Sequence, residues 1–165
     1  MTKPDPGTVT DLGQLAAAVG RLKGMRVTDL GRTLNMVEVG FAGDYGIHRL
    51  HVQTAFRVIQ REHIAIASSD MQYPLDRKAA QSVAFDTYAT QYDRLAKILT
   101  KRLGPDGIVV VDAAMRAGGA FFFEIEGETR FEIFPSISGP KECWRLFRKG
   151  SDLHYVYPAS SVLES

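Results

Sequence analysis

The stretch RLHVQTAFRVIQREHIAIAS, residues 49–68, alternates apolar and polar side chains and constrains the fold more than any other part of the chain. Leu50, Val52, Thr54, Phe56 and Val58 fall on one side, and Arg49, His51, Gln53, Ala55 and Arg57 on the other. A period of two is the signature of a half-buried strand. Ile64, Ile66 and Ser68 resume the pattern after Gln60-Arg61-Glu62, so the segment reads as a hairpin. Parity fixes its register, because a slip of one residue would send the apolar set to solvent. A three-residue loop pairs Val58 with Ile64, Phe56 with Ile66, and Thr54 with Ser68.

The rest of the chain supplies partners for this sheet. Leu12, Leu15, Val19 and Leu22 recur at helical spacing, with Thr10 as the cap and Gly24 just past the end. In TLNMVEVGF, residues Asn35, Val37, Val39 and Phe41 share a strand face, and AGDYG is a turn. The strongest helix lies within residues 76–105. Its stripe is Phe85, Tyr88, Tyr92, Leu95 and Leu99, widened by Ile98; Asp93 and Lys97 are spaced for an ion pair, and Gly104-Pro105 stops it. Then come GIVVVDAAM, the turn RAGG, and a hairpin AFFFEIEGETRFEIF. In that hairpin a Glu126-Gly127-Glu128 loop sets Glu124 opposite Arg130. ECWRLF and LHYVYP close the series. Short connections demand antiparallel neighbours. The expected fold is therefore α+β, a curved antiparallel sheet of about seven to nine strands with two helices packed on it. Residues 1–165 are read as one domain with a flexible tail at 1–7.

Composition narrows the function classes. A net charge of +1 in 165 residues argues against a protein that lives on nucleic-acid phosphates. The N-terminal twenty residues do not read as a signal peptide, and no segment approaches the roughly 20 apolar residues of a membrane span. The one cysteine, Cys143, precludes an intrachain disulfide. A cytoplasmic setting is expected, with no cofactor, metal, nucleic acid or membrane involved.

Four groups of side chains are candidates for chemistry. His48 and His51 stand three apart, which on a strand puts their rings on opposite faces and breaks up a paired metal site; His63 and His154 lie elsewhere. Arg49, His51, Gln53 and Arg57 share the outward face, over a floor of Ala55, Ala65 and Ala67. Such a floor suits a shallow groove for a ligand or partner, or the seat of a helix. Thr54, Ser68 and Asp70 are polar positions on the core side, where Asp70 is a hidden acid or the cap of a turn. Glu124, Glu126, Glu128 and Glu132 gather on one hairpin, with Arg130 among them. Phe122 faces outward beside Glu132 and hints at a contact surface. Nucleotide-loop, nucleophile-elbow and zincin motifs do not occur.

RLHVQTAFRVIQREHIAIASSDMQYP, followed later by FPSISGPKECWRLFRKG, resembles a pattern in small uncharacterised bacterial proteins. These share an LHVQ..WR strand, a strand ending D.Y.P and a late E.WRLF strand, a resemblance spanning residues 30–150. Members carry no established activity, and some are suspected immunity or accessory proteins of toxin loci. This chain departs at Thr54-Ala55-Phe56, where the others tend to have Cys-Pro-Trp, and no catalytic residue carries over. The expected function is a non-catalytic, protein-binding, immunity-like or accessory factor. The alternative is a small-molecule binder or enzyme using His51, Gln53 and Arg57, or Asp70. Self-association through an exposed strand is a third route, and a dimer is favoured over a monomer.

Overall fold

The computed structural model describes residues 7–82, 88–158 and 163. Eleven strands form one open, mixed sheet. They are β1 (Thr8–Val9), β2 (Arg26–Thr33), β3 (Met36–Gly43), β4 (Gly46–Val52), β5 (Ala55–Gln60), β6 (His63–Ala67), β7 (Ile108–Met115), β8 (Phe121–Ile125), β9 (Thr129–Phe134), β10 (Glu142–Arg148) and β11 (His154–Pro158). The order across the sheet is β1-β11-β10-β4-β3-β2-β7-β8-β9-β5-β6. Every pairing is antiparallel except β1 with β11. The α+β class is as expected. The strand count exceeds seven to nine because RVTDLGRT, which had no assignment, is a strand, Thr8–Val9 adds another, and the long run 49–58 is two strands.

That break decides the shape. β4 and β5 are joined only by Gln53 and Thr54, yet they stand six places apart in the strand order. Six spacings of a flat sheet would be about 29 Å, while the link from Val52 to Ala55 reaches about 10 Å at most. The sheet therefore rolls up until β4 and β5 lie end to end. The link is fastened on both sides: Gln53 N–H donates to the Cys143 carbonyl at 2.8 Å, and Thr54 Oγ1 to the Phe134 carbonyl at 2.7 Å. The concave side holds the core, where Leu50, Val52, Phe56 and Val58 meet Phe41, Phe123, Phe131 and Trp144.

The two longer helices, α1 (Leu12–Gly20) and α3 (Gln91–Leu103), belong to this core side; a short helix, α2 (Arg77–Ser82), lies between them in sequence. In α1, Leu15 and Val19 are buried, as is Leu22 just beyond it, but Leu12 is exposed and Asp11 rather than Thr10 caps the start. α3 begins later than the periodicity suggested. Thr90 and Asp93 form a reciprocal capping box there, which leaves Tyr88 before the helix. Phe85 lies outside the described residues. β2 pairs with β7 only at Arg26 and Val27. Beyond that point α3 takes the place of the missing strand. Thr100 Oγ1 bonds Leu30 N and O at 3.0 and 3.2 Å, and the Tyr92 hydroxyl donates to the Gly31 carbonyl at 2.9 Å. Backbone groups that would otherwise form a bare sheet edge are thus satisfied by a helix. Arg32, almost fully buried, pairs with Asp93 at 2.8 Å, so Asp93 serves the sheet rather than the expected pair with Lys97.

The β8–β9 hairpin has the expected register, with Glu124 opposite Arg130 and Phe123 opposite Phe131. The β5–β6 hairpin does not. Its loop is Arg61-Glu62, with Arg61 in the left-handed region, and Val58 faces Ile66 while Ile59 faces Ile64. Ala65 is the extra residue of a bulge, and Ile64 is exposed.

Candidate functional site

The convex side carries two belts of polar side chains, one on each half of the rolled sheet. The first crosses β2, β3, β4, β10 and β11. One rung runs Asp29, Gly40, Arg49, Phe147, His154, and the next Glu38, His51, Arg145, Val156. Nearly every charge on it is pinned. Arg49 Nη1 donates to Asp29 Oδ2 at 2.7 Å, across the strand that separates them. Gly40 permits this: a Cβ there would collide with the Asp29 carboxylate and come within 2.8 Å of Arg49 Nη1. Arg145 holds Glu142 in a two-pronged contact at 3.0 and 2.8 Å and meets His154 Nδ1 at 2.8 Å.

Three rings occupy the centre of this belt. His154 stacks on Phe147 with centroids 4.5 Å apart, and His51 meets Phe147 edge-on at 5.0 Å. His51 Nε2 lies 3.8 Å from Glu38 Oε1, beyond a direct hydrogen bond. Burial lowers the His51 pKa, Glu38 opposes it, and the Arg145 cation adds to the lowering. The shift favours the neutral imidazole, which presents a ring rather than a charge.

The second belt crosses β7, β8, β9 and β5. Arg57 bonds Glu132 at 2.6 Å and lies over the Phe134 ring, and Arg130 bonds Glu124 at 2.8 Å. Phe122, expected to be exposed, is buried. The Arg116 and Arg130 guanidiniums stand 5.0 and 4.0 Å from its centroid. The hairpin carboxylates Glu124 and Glu132 are thus spent on arginines.

The four residues expected to share a groove are divided by the break. Arg49 and His51 stand together on the first belt, Gln53 is exposed at the link, and Arg57 belongs to the second belt. The break left no trace in the alternation, which continues in phase through Gln53 and Thr54. Helix α1 packs chiefly against β7 and β11, away from Ala55 and Ala67. Thr54 and Ser68 do not face each other. Thr54 bonds Phe134 and Ser136, and Ser68 Oγ accepts from Phe56 N–H. Asp70 Oδ2 accepts the Ala67 N–H at 2.8 Å and caps the turn that ends β6. Sequence reasoning missed Phe147, Arg145 and Glu142 as companions of His51. The signal was the outward parity of ECWRLFR, but a sequence does not say that this strand lies beside β4.

Among the described residues no cluster of three or more His, Cys, Asp or Glu could hold a metal, and no helix is long and apolar enough to cross a membrane. Comparison with known proteins returned no matching family model, no matching curated protein and no matching solved structure.

Proposed function

We propose that this chain is a non-catalytic binding protein, an accessory or immunity-like factor. Its first belt docks a folded protein whose contact surface has an aromatic or apolar centre and a polar rim. The observation that carries this reading is the ring trio His51–Phe147–His154, set among arginines already locked to carboxylates. Arginine and aromatic side chains held rigidly dominate the energetics of protein contacts, because little conformational freedom remains to be lost on binding. The same locking argues against acid–base chemistry, since Asp29, Glu142 and Arg145 are each committed to a partner at 3.0 Å or less. Arg49 and Arg145 are matched by Asp29 and Glu142, so the partner it fits carries little charge at the contact. A cytoplasmic setting belongs to the same reading; the one cysteine is buried and forms no disulfide.

The test is quantitative affinity capture with the wild type, Phe147→Ser, and Ile98→Ser on α3 as a control. A protein retained by the wild type and the control but lost by Phe147→Ser is then purified and titrated against both. A loss of about 30-fold in affinity is expected if Phe147 anchors the contact. If no protein discriminates the belt variant from the control, the proposal is refuted.

A further inference from the structure

A cleft opens on the core side, where the end of α1 approaches the ends of β4, β10 and β11, and Phe147 of the first belt also borders it. Its volume is about 210 Å³. The floor is Leu22 and Leu146, both buried, and Tyr155 forms one wall. Three basic side chains line it: Arg21, His48 and Arg148. No acidic side chain does so among the described residues. Arg21 lies over the Tyr155 ring at 5.4 Å, and neither it nor Arg148 makes a salt bridge among the described residues.

His48 gives the second, independent observation. It sits on the core side of β4, opposite Phe41 and Arg148, and its Nδ1 is buried with no hydrogen-bond partner. Buried polar atoms nearly always have a partner, and one left bare calls for an explanation. Burial lowers the His48 pKa, a backbone hydrogen bond with Gly46 opposes it, and the Arg148 and Arg21 charges add to the lowering. Two guanidiniums without a salt bridge and a partly buried imidazole ring thus border one apolar cavity. The end of α1 contributes partial negative charge here, which opposes an anion, so its binding falls to the Arg21 and Arg148 cations.

We propose that this cleft binds a small carboxylate carrying an aromatic or branched apolar body, about ten non-hydrogen atoms in all. The carboxylate pairs with Arg148 and Arg21, beside the His48 ring. The apolar body lies on Leu22, Leu146 and Tyr155. A cavity of about 150 Å³ lined by apolar side chains accommodates benzene; the greater volume here admits a ring with its acid group. Inorganic phosphate satisfies the cations but leaves the apolar floor wet, so it is the weaker ligand. A body of this size held by two partly exposed cations has a Kd of roughly 0.1–1 mM.

The experiment is an NMR titration of the full chain with phenylacetate, phenylacetamide and inorganic phosphate, followed on the His48 ring and the Leu22 and Leu146 resonances. Phenylacetate should give saturable shifts at all three. The amide and phosphate should each bind about ten-fold more weakly. Arg21→Gln and Arg148→Gln, at exposed positions, should each weaken phenylacetate about three- to ten-fold, while Arg102→Gln leaves it unchanged. No saturable shift up to about 20 mM, an amide that binds as well as the acid, or a double Arg21→Gln/Arg148→Gln variant of unchanged affinity would each overturn the proposal. Phosphate binding more tightly than phenylacetate would overturn the apolar half of it. Phe147 of the first belt also borders the cleft, but the arginine variants alter no side chain of that belt, so failure of one proposal leaves the other standing.

Discussion

Replacing Asp93 by alanine should destabilise the fold by about 3 kcal/mol, through its effect on Arg32 rather than on the helix it caps. Arg32 keeps only 8% of its side chain exposed, and its Nε and Nη2 each donate to the Asp93 carboxylate at 2.8 Å. Without Asp93 the guanidinium remains in a poorly hydrated site with only the Leu34 and Tyr88 carbonyls as acceptors. Removing one partner of a buried pair costs about 3–5 kcal/mol, and losing the capping box about 1 more. Asp93 keeps a third of its side chain in water, and that screening brings the sum down to about 3 kcal/mol. In a chain of this length, about 3 kcal/mol lowers Tm by roughly 6–12 °C. The assay is urea and thermal unfolding of the wild type, Asp93→Ala, Arg32→Met and the double variant. With Arg32 gone there is no stranded charge. The double variant should therefore be at least about 1.5 kcal/mol more stable than the sum of the singles implies. Strict additivity would refute the argument. The pH dependence gives a second check. Burial opposes ionisation of Asp93, but hydrogen bonds from Arg32 and Thr90 outweigh it and hold the pKa below the ordinary carboxylate value. Folding therefore gains from this group above about pH 4, and the gain is lost as pH falls through the lowered pKa. The gap between wild type and Asp93→Ala should narrow in acid.

Three further outcomes follow from particular contacts. Gly40→Ala should cost about 2 kcal/mol by forcing the Asp29–Arg49 pair apart. The same substitution in an Asp29→Ala background should cost less than about 1 kcal/mol, measured by urea unfolding. His51 should titrate by NMR with a midpoint below 6.5, the direction set mainly by its burial. Since the folded form then binds fewer protons, this group withdraws stability as pH falls below that value. Trp144, the only tryptophan, is fully buried and donates from Nε1 to the Gly119 carbonyl at 2.8 Å. Trp144→Phe should destabilise by about 2 kcal/mol, and wild-type fluorescence should resist quenching until the chain unfolds.

Local order was the part of this fold that could be read from residues alone. The β8–β9 hairpin was legible because Phe121, Phe123, Phe131 and Ile133 leave one register that buries all three rings and Ile133, with no bulge between them. The β5–β6 register was not. A bulge at Ala65 and a left-handed Arg61 change the count without changing the apolar pattern much. The break at Gln53–Thr54 preserves the alternation on both sides, so a rolled sheet and one long strand look alike in sequence. The companions of His51 come from β10, and strand adjacency is a property of topology. The late start of α3 was readable in principle from Thr90 and Asp93, the ends of a capping box. The aromatic stripe drew the helix too far back.

The two-residue link between β4 and β5 also governs when the chain can fold during synthesis. Before that link the chain lays down β2, β3 and β4; after it come β5 and β6, in the other half of the sheet. Neither half is finished at that stage. Val52 awaits Trp144, and Phe56 awaits Ile133. Both inner edges are therefore left bare while most of the chain is still being made, with Leu50, Val52, Phe56 and Val58 uncovered. Pairing over such sequence distances is slow and leaves apolar strands open to other chains. Nascent chains truncated before β9 should be sticky and protease-sensitive, and protection should rise sharply once β10 has left the ribosome.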